Sequence, residues 1–133
     1  KKSIKEIFET KGEIYFRLQE TKYLKEILEN QFDTVLALGG GTPCYGHNME
    51  LIKKESQSFY LKGSISTICQ RLRSEKQQRP LIASLNDEQL TEFVAKHLFE
   101  RREFYDQADQ IISIDKKSVD ELLKELLVFI KKS

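Results

Sequence analysis

The 133-residue chain carries 22 basic and 21 acidic residues, a net charge of +1, with 39% hydrophobic and 32% charged residues. That near balance excludes a nucleic-acid binder working through bulk positive charge, and the composition excludes a disordered chain. No apolar run approaches the ~20 residues that cross a bilayer, the start Lys-Lys-Ser-Ile-Lys-Glu has no signal-peptide core, and Cys44 and Cys69 are too few for a disulfide scaffold. The expectation is one soluble cytoplasmic domain with neither a membrane nor a nucleic-acid partner.

Ser3 to Thr10 reads as a short helix, with Ser3 as N-cap and Glu6 at capping-box spacing. Glu13 to Asn30 follows as a longer one, its stripe formed by Ile14, Leu18, Thr21, Leu24, Ile27 and Leu28. Thr34 to Leu38 (TVLAL) has the length and apolarity of a buried strand and runs into Gly39, Gly40 and Gly41. Asn48 to Glu55 predicts a helix, Ser58 to Leu61 a strand and Ser64 to Ser74 a helix. The polar stretch from Ser74 to Asp87 reads as a mobile loop or as a plain surface excursion. Asn86 to Ala108 predicts a helix with Asn86 as N-cap and Gln89 at N3; Gln110 to Ile114 is a third strand, and Ser118 to Lys132 a closing helix. Strands separated by helices predict an α/β fold with a mostly parallel sheet, although three strands are few for so much helix.

Sixteen lysines are spread along the chain, whereas six arginines stand in four places: Arg17, Arg71 with Arg73, Arg79, and Arg101 with Arg102. Arginine offers a planar fork of donors suited to carboxylate or phosphate. In the helix from Asn86 the apolar stripe is Leu90, Phe93, Val94, His97, Leu98, Phe104, Tyr105 and Ala108, and Arg101 falls inside it while Arg102 falls off its centre. Arg17 lies on the apolar side of its own helix, with Glu13 and Glu20 one turn either way. A charge on a buried stripe is costly unless something anionic meets it. Either both arginines make internal ion pairs, or they share one small anion. The glycine triplet after TVLAL is either a tight turn using positive φ or a place where a ligand approaches the backbone closely. No GxxxxGK[ST] phosphate loop occurs in these residues, and neither His47 nor His97 has partners at metal-ligand spacing.

Together these pieces resemble the shikimate kinase family. Ser3-Ile4-Lys5-Glu6-Ile7-Phe8, Gly12-Glu13, Phe16-Arg17 and Glu20 are similar to its substrate-binding region. Leu38-Gly39-Gly40-Gly41 resembles its glycine triplet, Arg79-Pro80-Leu81 its lid, and Arg101 with Tyr105 and Ala108 its C-terminal substrate arginine. The resemblance implies a P-loop, nucleoside-monophosphate-kinase-like three-layer α/β fold with a parallel sheet. It implies transfer of the ATP γ-phosphoryl group to the 3-hydroxyl of shikimate, on the way to chorismate and the aromatic amino acids. Mg²⁺ is the implied cofactor, ATP and shikimate the implied partners, and a cytoplasmic monomer the implied state.

Residue by residue, the resemblance has Arg17 and Arg101 clamp the shikimate carboxylate, the backbone of Gly39, Gly40 and Gly41 meet the ring hydroxyls, and Phe8 and Phe16 line the pocket. Glu20 would orient Arg17. Arg79 would be the catalytic arginine, swinging in on a lid over residues 74–87 to meet the transferring phosphate of ATP. Arg73 would lie against adenine, and Lys117 would touch the nucleotide. The family's phosphate loop and Asp-x-Asp strand, where its metal ligands lie, have no counterpart in these residues. In the family's strand order 2-3-1-4-5 the three predicted strands are the third, fourth and fifth. The expectation is therefore one domain over 1–133, its substrate-binding helices in 1–33, beginning about 35 to 40 residues late and inactive by itself. The other readings are a gluconate-kinase-like enzyme of the same fold and a non-catalytic shikimate-binding module.

Overall fold

The first helical run, α1 (Ile4–Glu29), is broken at Gly12, whose φ of 86° and ψ of 171° lie outside the helical region. Glycine takes that conformation without a Cβ clash, so the break separates the two helices the periodicity predicts. The computed structural model describes residues 4–30, 33–75, 78–79 and 81–131. The predicted N-cap Ser3, Pro80 of the lid motif and the side chain of Phe8 lie outside the described residues.

By inter-residue contacts the chain divides into two bodies, Lys1–Ser58 and Phe59–Ser133. In the first, α1 is followed by a 3₁₀ turn at Thr42–Cys44 and by α2 (Asn48–Glu55). Its buried apolar side chains are Leu24, Met49 and Ile52. The covered side of α1 differs from the predicted stripe. Phe16, Arg17, Glu20, Thr21, Leu24 and Leu28 are buried or half-buried, whereas Ile14, Leu18 and Ile27 are exposed. Apolarity alone misplaces the face because Arg17, Glu20 and Thr21 have polar partners to meet. α2 places Glu50 in its first turn and Lys53 and Lys54 in its last, in the sense that suits the helix dipole.

The segment Thr34 to Leu38 does not form the predicted strand, and Val35 is 96% exposed. Length and apolarity make a segment able to pair, but a strand exists only where a ladder of backbone hydrogen bonds forms with a neighbour. Two strands, rather than three, are therefore found among the described residues. β1 (Phe59–Lys62) and β2 (Gln110–Ser113) run parallel, with Phe59 opposite Gln110 and Lys62 opposite Ser113.

Between them lie α3 (Ile65–Glu75) and α4 (Asp87–Tyr105), the crossover a parallel pair requires, and α5 (Val119–Lys131) closes the chain. Ser64 caps α3, its Oγ accepting from the Thr67 N–H at 3.1 Å. Asn86 and Gln89 form the predicted capping box of α4, at 2.8 and 3.0 Å. Ser118 and Glu121 make the same reciprocal pair at the start of α5, both at 3.2 Å. The core of this body joins Cys69, Ile82, Leu90 and Val94. The stripe predicted on α4 is buried or half-buried at every position, Arg101 included, and Arg102 is exposed. Ile82 belongs to that core, so the polar stretch between α3 and α4 is pinned near its middle, with Leu81 beside it exposed.

Leu90 is fully buried and Phe99, on the same helix, is exposed. Leu90→Ala should lower unfolding stability by about 2–5 kcal/mol in denaturant titration, whereas Phe99→Ala should fall within about 0.5 kcal/mol of the parent.

Candidate active site

Arg17 is held within its own helix. Its Nη1 donates to Glu20 Oε1 at 2.9 Å, an i,i+3 pair whose side chains are only 20% and 17% exposed. Its guanidinium carbon lies 5.4 Å from the centroid of the Phe16 ring, within cation–π range. The second carboxylate oxygen of Glu20 accepts a hydrogen bond from the Thr42 hydroxyl at 2.7 Å. Thr42 follows the glycine triplet, so the pair ties α1 to the turn that leaves TVLAL.

The triplet's glycines do not sit at positive φ. Among the described glycines only Gly12 and Gly46 do, and Gly41 has φ −88° and ψ −13°, a conformation open to any residue. Proximity explains it instead. A Cβ on Gly41 would stand 2.6 Å from Nη2 and 2.9 Å from Nη1 of Arg17, and one on Gly39 would stand 3.3 Å from the Thr42 hydroxyl. What approaches the triplet is the Arg17 guanidinium. The turn itself is closed by the Thr42 N–H to Gly39 carbonyl and Cys44 N–H to Gly41 carbonyl bonds, both 3.1 Å. The Gly40 carbonyl accepts from the Cys44 thiol at 3.9 Å.

In the second body Arg101 is half-buried, and its Nη1 donates to the Tyr105 hydroxyl at 3.5 Å. Among the described residues no carboxylate pairs with it. The Tyr105 ring lies 5.0 Å from that of Tyr60 on β1. Burial first, then the Asp106 charge and Tyr105, hold the Tyr60 phenol above its ordinary pKa, so it stays neutral. Arg73 pairs with Asp87 at 3.1 Å, and Arg79 with Glu75 at 3.4 Å on largely exposed side chains.

At the carboxyl ends of the two strands, Asp115 accepts the Ser64 N–H at 3.0 Å. That bond, with the Thr67 side chain next, holds its carboxyl below the usual carboxylate range. Lys116 beside it is left-handed, with φ 58°, a rare state for a side-chain-bearing residue. The Lys117 ammonium meets both oxygens of Glu125, at 3.0 and 2.9 Å.

Arg17, Glu20, Phe16 and the glycine turn are thus brought together in the first body. Arg101, Arg73, Arg79 and Lys117 each occupy a separate place in the second. Sequence reasoning missed Thr42 and Asn48, which complete the polar cluster around Glu20, and the Asp115–Ser64 tie. The available signal was a hydroxyl residue directly after the triplet and an amide at the start of α2. Among the described residues no three His, Cys, Asp or Glu side chains come together to hold a metal. No helix among them is long and apolar enough to cross a membrane.

The family model described as shikimate kinase matches residues 1–131. A shikimate kinase of Flavobacterium johnsoniae is 44% identical over 126 residues, 94% of this chain and 73% of that protein. One of Flavobacterium psychrophilum is 43% identical with the same coverage. Among solved structures, the shikimate kinase of Bacteroides thetaiotaomicron superposes with a TM-score of 0.88 at 31% identity, over 98% of this chain and 76% of that one. The shikimate kinase of Acinetobacter baumannii in complex with shikimate superposes with a TM-score of 0.78 at 30% identity, over 95% and 68%.

Because the atoms nearest a Cβ at position 41 are the far end of the flexible Arg17 side chain, Gly41→Ala should fold with a melting temperature within about 2 °C of the parent. Its crystal structure should show the guanidinium swung away from Glu20. An undisturbed Arg17–Glu20 pair in that variant would show that the turn does not set the position of Arg17.

Proposed function

The chain belongs to the shikimate kinase family, and from that premise we propose how its residues serve the transfer of the ATP γ-phosphoryl group to the 3-hydroxyl of shikimate. Arg17 receives the carboxylate of shikimate. One edge of its guanidinium is committed to Glu20, Phe16 covers its face, and the Nη2 side lies along the glycine turn. A planar fork so held offers its remaining donors in one direction, the geometry that suits a carboxylate. Arg101 supplies the second cation. It is half-buried and pairs with no carboxylate among the described residues, which leaves it a charge for the substrate to neutralise. The backbone of Gly39, Gly40 and Gly41 faces the ring hydroxyls, and Phe16 gives the ring an apolar wall.

Arg79 acts on the transferring phosphate. Its pair with Glu75 is 57% and 50% exposed, and pairs of that kind contribute only about 0–1 kcal/mol. Exchanging Glu75 for a phosphoryl group is therefore cheap, as an arginine finger requires. Residues 74–87 form the lid that carries it, turning about the anchored Ile82. Arg73 meets adenine by the same exchange, leaving Asp87, and Lys117 meets the nucleotide by leaving Glu125. Mg²⁺ accompanies ATP in this reading and supplies charge neutralisation at the phosphates. The protein works as a monomer in the cytoplasm, a setting in keeping with the free, buried Cys69 thiol. The relatives and solved structures above all carry the name shikimate kinase, which does not favour a gluconate-kinase-like enzyme or a binding-only module.

The observation that carries the site reading is the half-buried Arg17 guanidinium, clamped by Glu20 and covered by the glycine turn. In the full-length enzyme, Arg17→Ala and Arg101→Ala should each raise the shikimate KM by at least roughly tenfold and leave the ATP KM within about twofold. Equal damage to both substrates would count against the assignment.

A further inference from the structure

Two polar side chains of the first body are buried more deeply than any group the reaction needs to touch. Thr42 is 4% exposed and Asn48 only 1%. Burying such groups is unfavourable unless they are hydrogen-bonded, and here their bonds run in one circuit. The Asn48 side-chain amide donates to the Thr42 carbonyl at 2.9 Å. Its oxygen accepts from the Thr21 hydroxyl at 3.0 Å. The Thr42 N–H is taken by the Gly39 carbonyl. The Thr42 hydroxyl donates to Glu20 Oε2, and Oε1 of the same carboxylate receives Arg17.

Arg17, Glu20 and Thr21 are spaced three and four residues apart on one side of α1, so the circuit leaves that helix at Glu20 and returns to it at Thr21. A carboxylate beside a guanidinium can rotate about its terminal torsions and present either oxygen. The Thr42 proton removes that freedom, because an ionised carboxylate can only accept.

We infer that Thr42, itself fixed by Asn48, is a positioning residue for substrate binding: its hydroxyl locks the Glu20 carboxylate, which in turn aims the Arg17 guanidinium. This rests on the reading that Arg17 receives the carboxylate of shikimate. Thr42 touches no reacting atom in this account. Its effect passes through Glu20 to the ground-state hold on one end of the substrate, so it belongs to binding and not to phosphoryl transfer. The hydroxyl, rather than the bulk of the side chain, is the active element, which separates positioning from packing.

The test is steady-state kinetics of the full-length enzyme with Thr42→Val, Thr42→Ser and Arg17→Ala, together with the Arg17→Ala/Thr42→Val double variant. Thr42→Val keeps the shape and removes the donor. It should raise the shikimate KM roughly tenfold, the effect expected for a lost hydrogen bond to a charged group, while kcat and the ATP KM stay within about twofold. Thr42→Ser should return the shikimate KM to within about threefold of the parent, and Thr42→Val should add less than about twofold in the Arg17→Ala background. If Thr42→Val does not fold, Thr42→Ala is measured in its place with the same expectation. An unchanged shikimate KM in the Val variant overturns the inference. So does a parallel loss of kcat and both KM values, or a Ser variant as impaired as Val. Arg17→Ala with a normal shikimate KM would overturn the substrate reading, and this inference with it. A raised KM in Arg17→Ala beside a normal one in Thr42→Val would overturn this inference alone.

Discussion

An arginine turned toward the inside of a small protein must be met by a negative group whose own position is fixed, or the cost of removing it from water is not recovered. Glu20 meets that requirement for Arg17 from one helical turn away, and both side chains are largely screened from solvent. The first body is arranged around this pair. The break at Gly12 separates the first turns of α1 from the stretch that carries Arg17. The glycine turn passes close enough that a methyl group at position 41 would collide with the guanidinium. Thr42 and Asn48 then tie the turn and the start of α2 back to α1.

The other arginines are held differently. Arg79 and Arg73 pair with Glu75 and Asp87 on side chains about half or more exposed, where water competes for both partners and each pair stabilises little. A half-buried, doubly braced pair suits a group that must wait in one place for a substrate. Exposed, singly braced pairs suit groups that exchange partners when a nucleotide arrives. Arg101 stands between these cases, half-buried with a tyrosine rather than a carboxylate. The distinction follows from burial and partner count.

Local features were the legible ones. The capping box at Asn86 and Gln89, the break at Gly12, the bounds of α2 and the inward placement of Arg101 all follow from residues within four positions of each other, where spacing alone decides geometry. Thr34 to Leu38 reads as a strand from composition yet forms none in the structure, because pairing is a property of two segments. The predicted stripe with Ile14, Leu18 and Ile27 fails for a related reason. Polar residues can outrank apolar ones for the covered side of a helix when partners far along the chain receive them. Thr42 lies 22 positions from Glu20, and Asn48 lies 27 from Thr21, so nothing in the spacing of either marks it. The glycine triplet was legible as a special turn, but whether conformation or proximity required it depended on where the Arg17 side chain went.

The account stands on Arg17 being the group that receives the substrate carboxylate while Glu20 keeps hold of it. A crystal structure of the full-length protein with bound shikimate tests this most directly. The account predicts a shikimate carboxylate oxygen about 2.7–3.2 Å from the Arg17 guanidinium, with Glu20 still on the opposite edge and Thr42 still on Glu20. A shikimate carboxylate bound elsewhere, with Arg17 engaged by Glu20 alone, would contradict it.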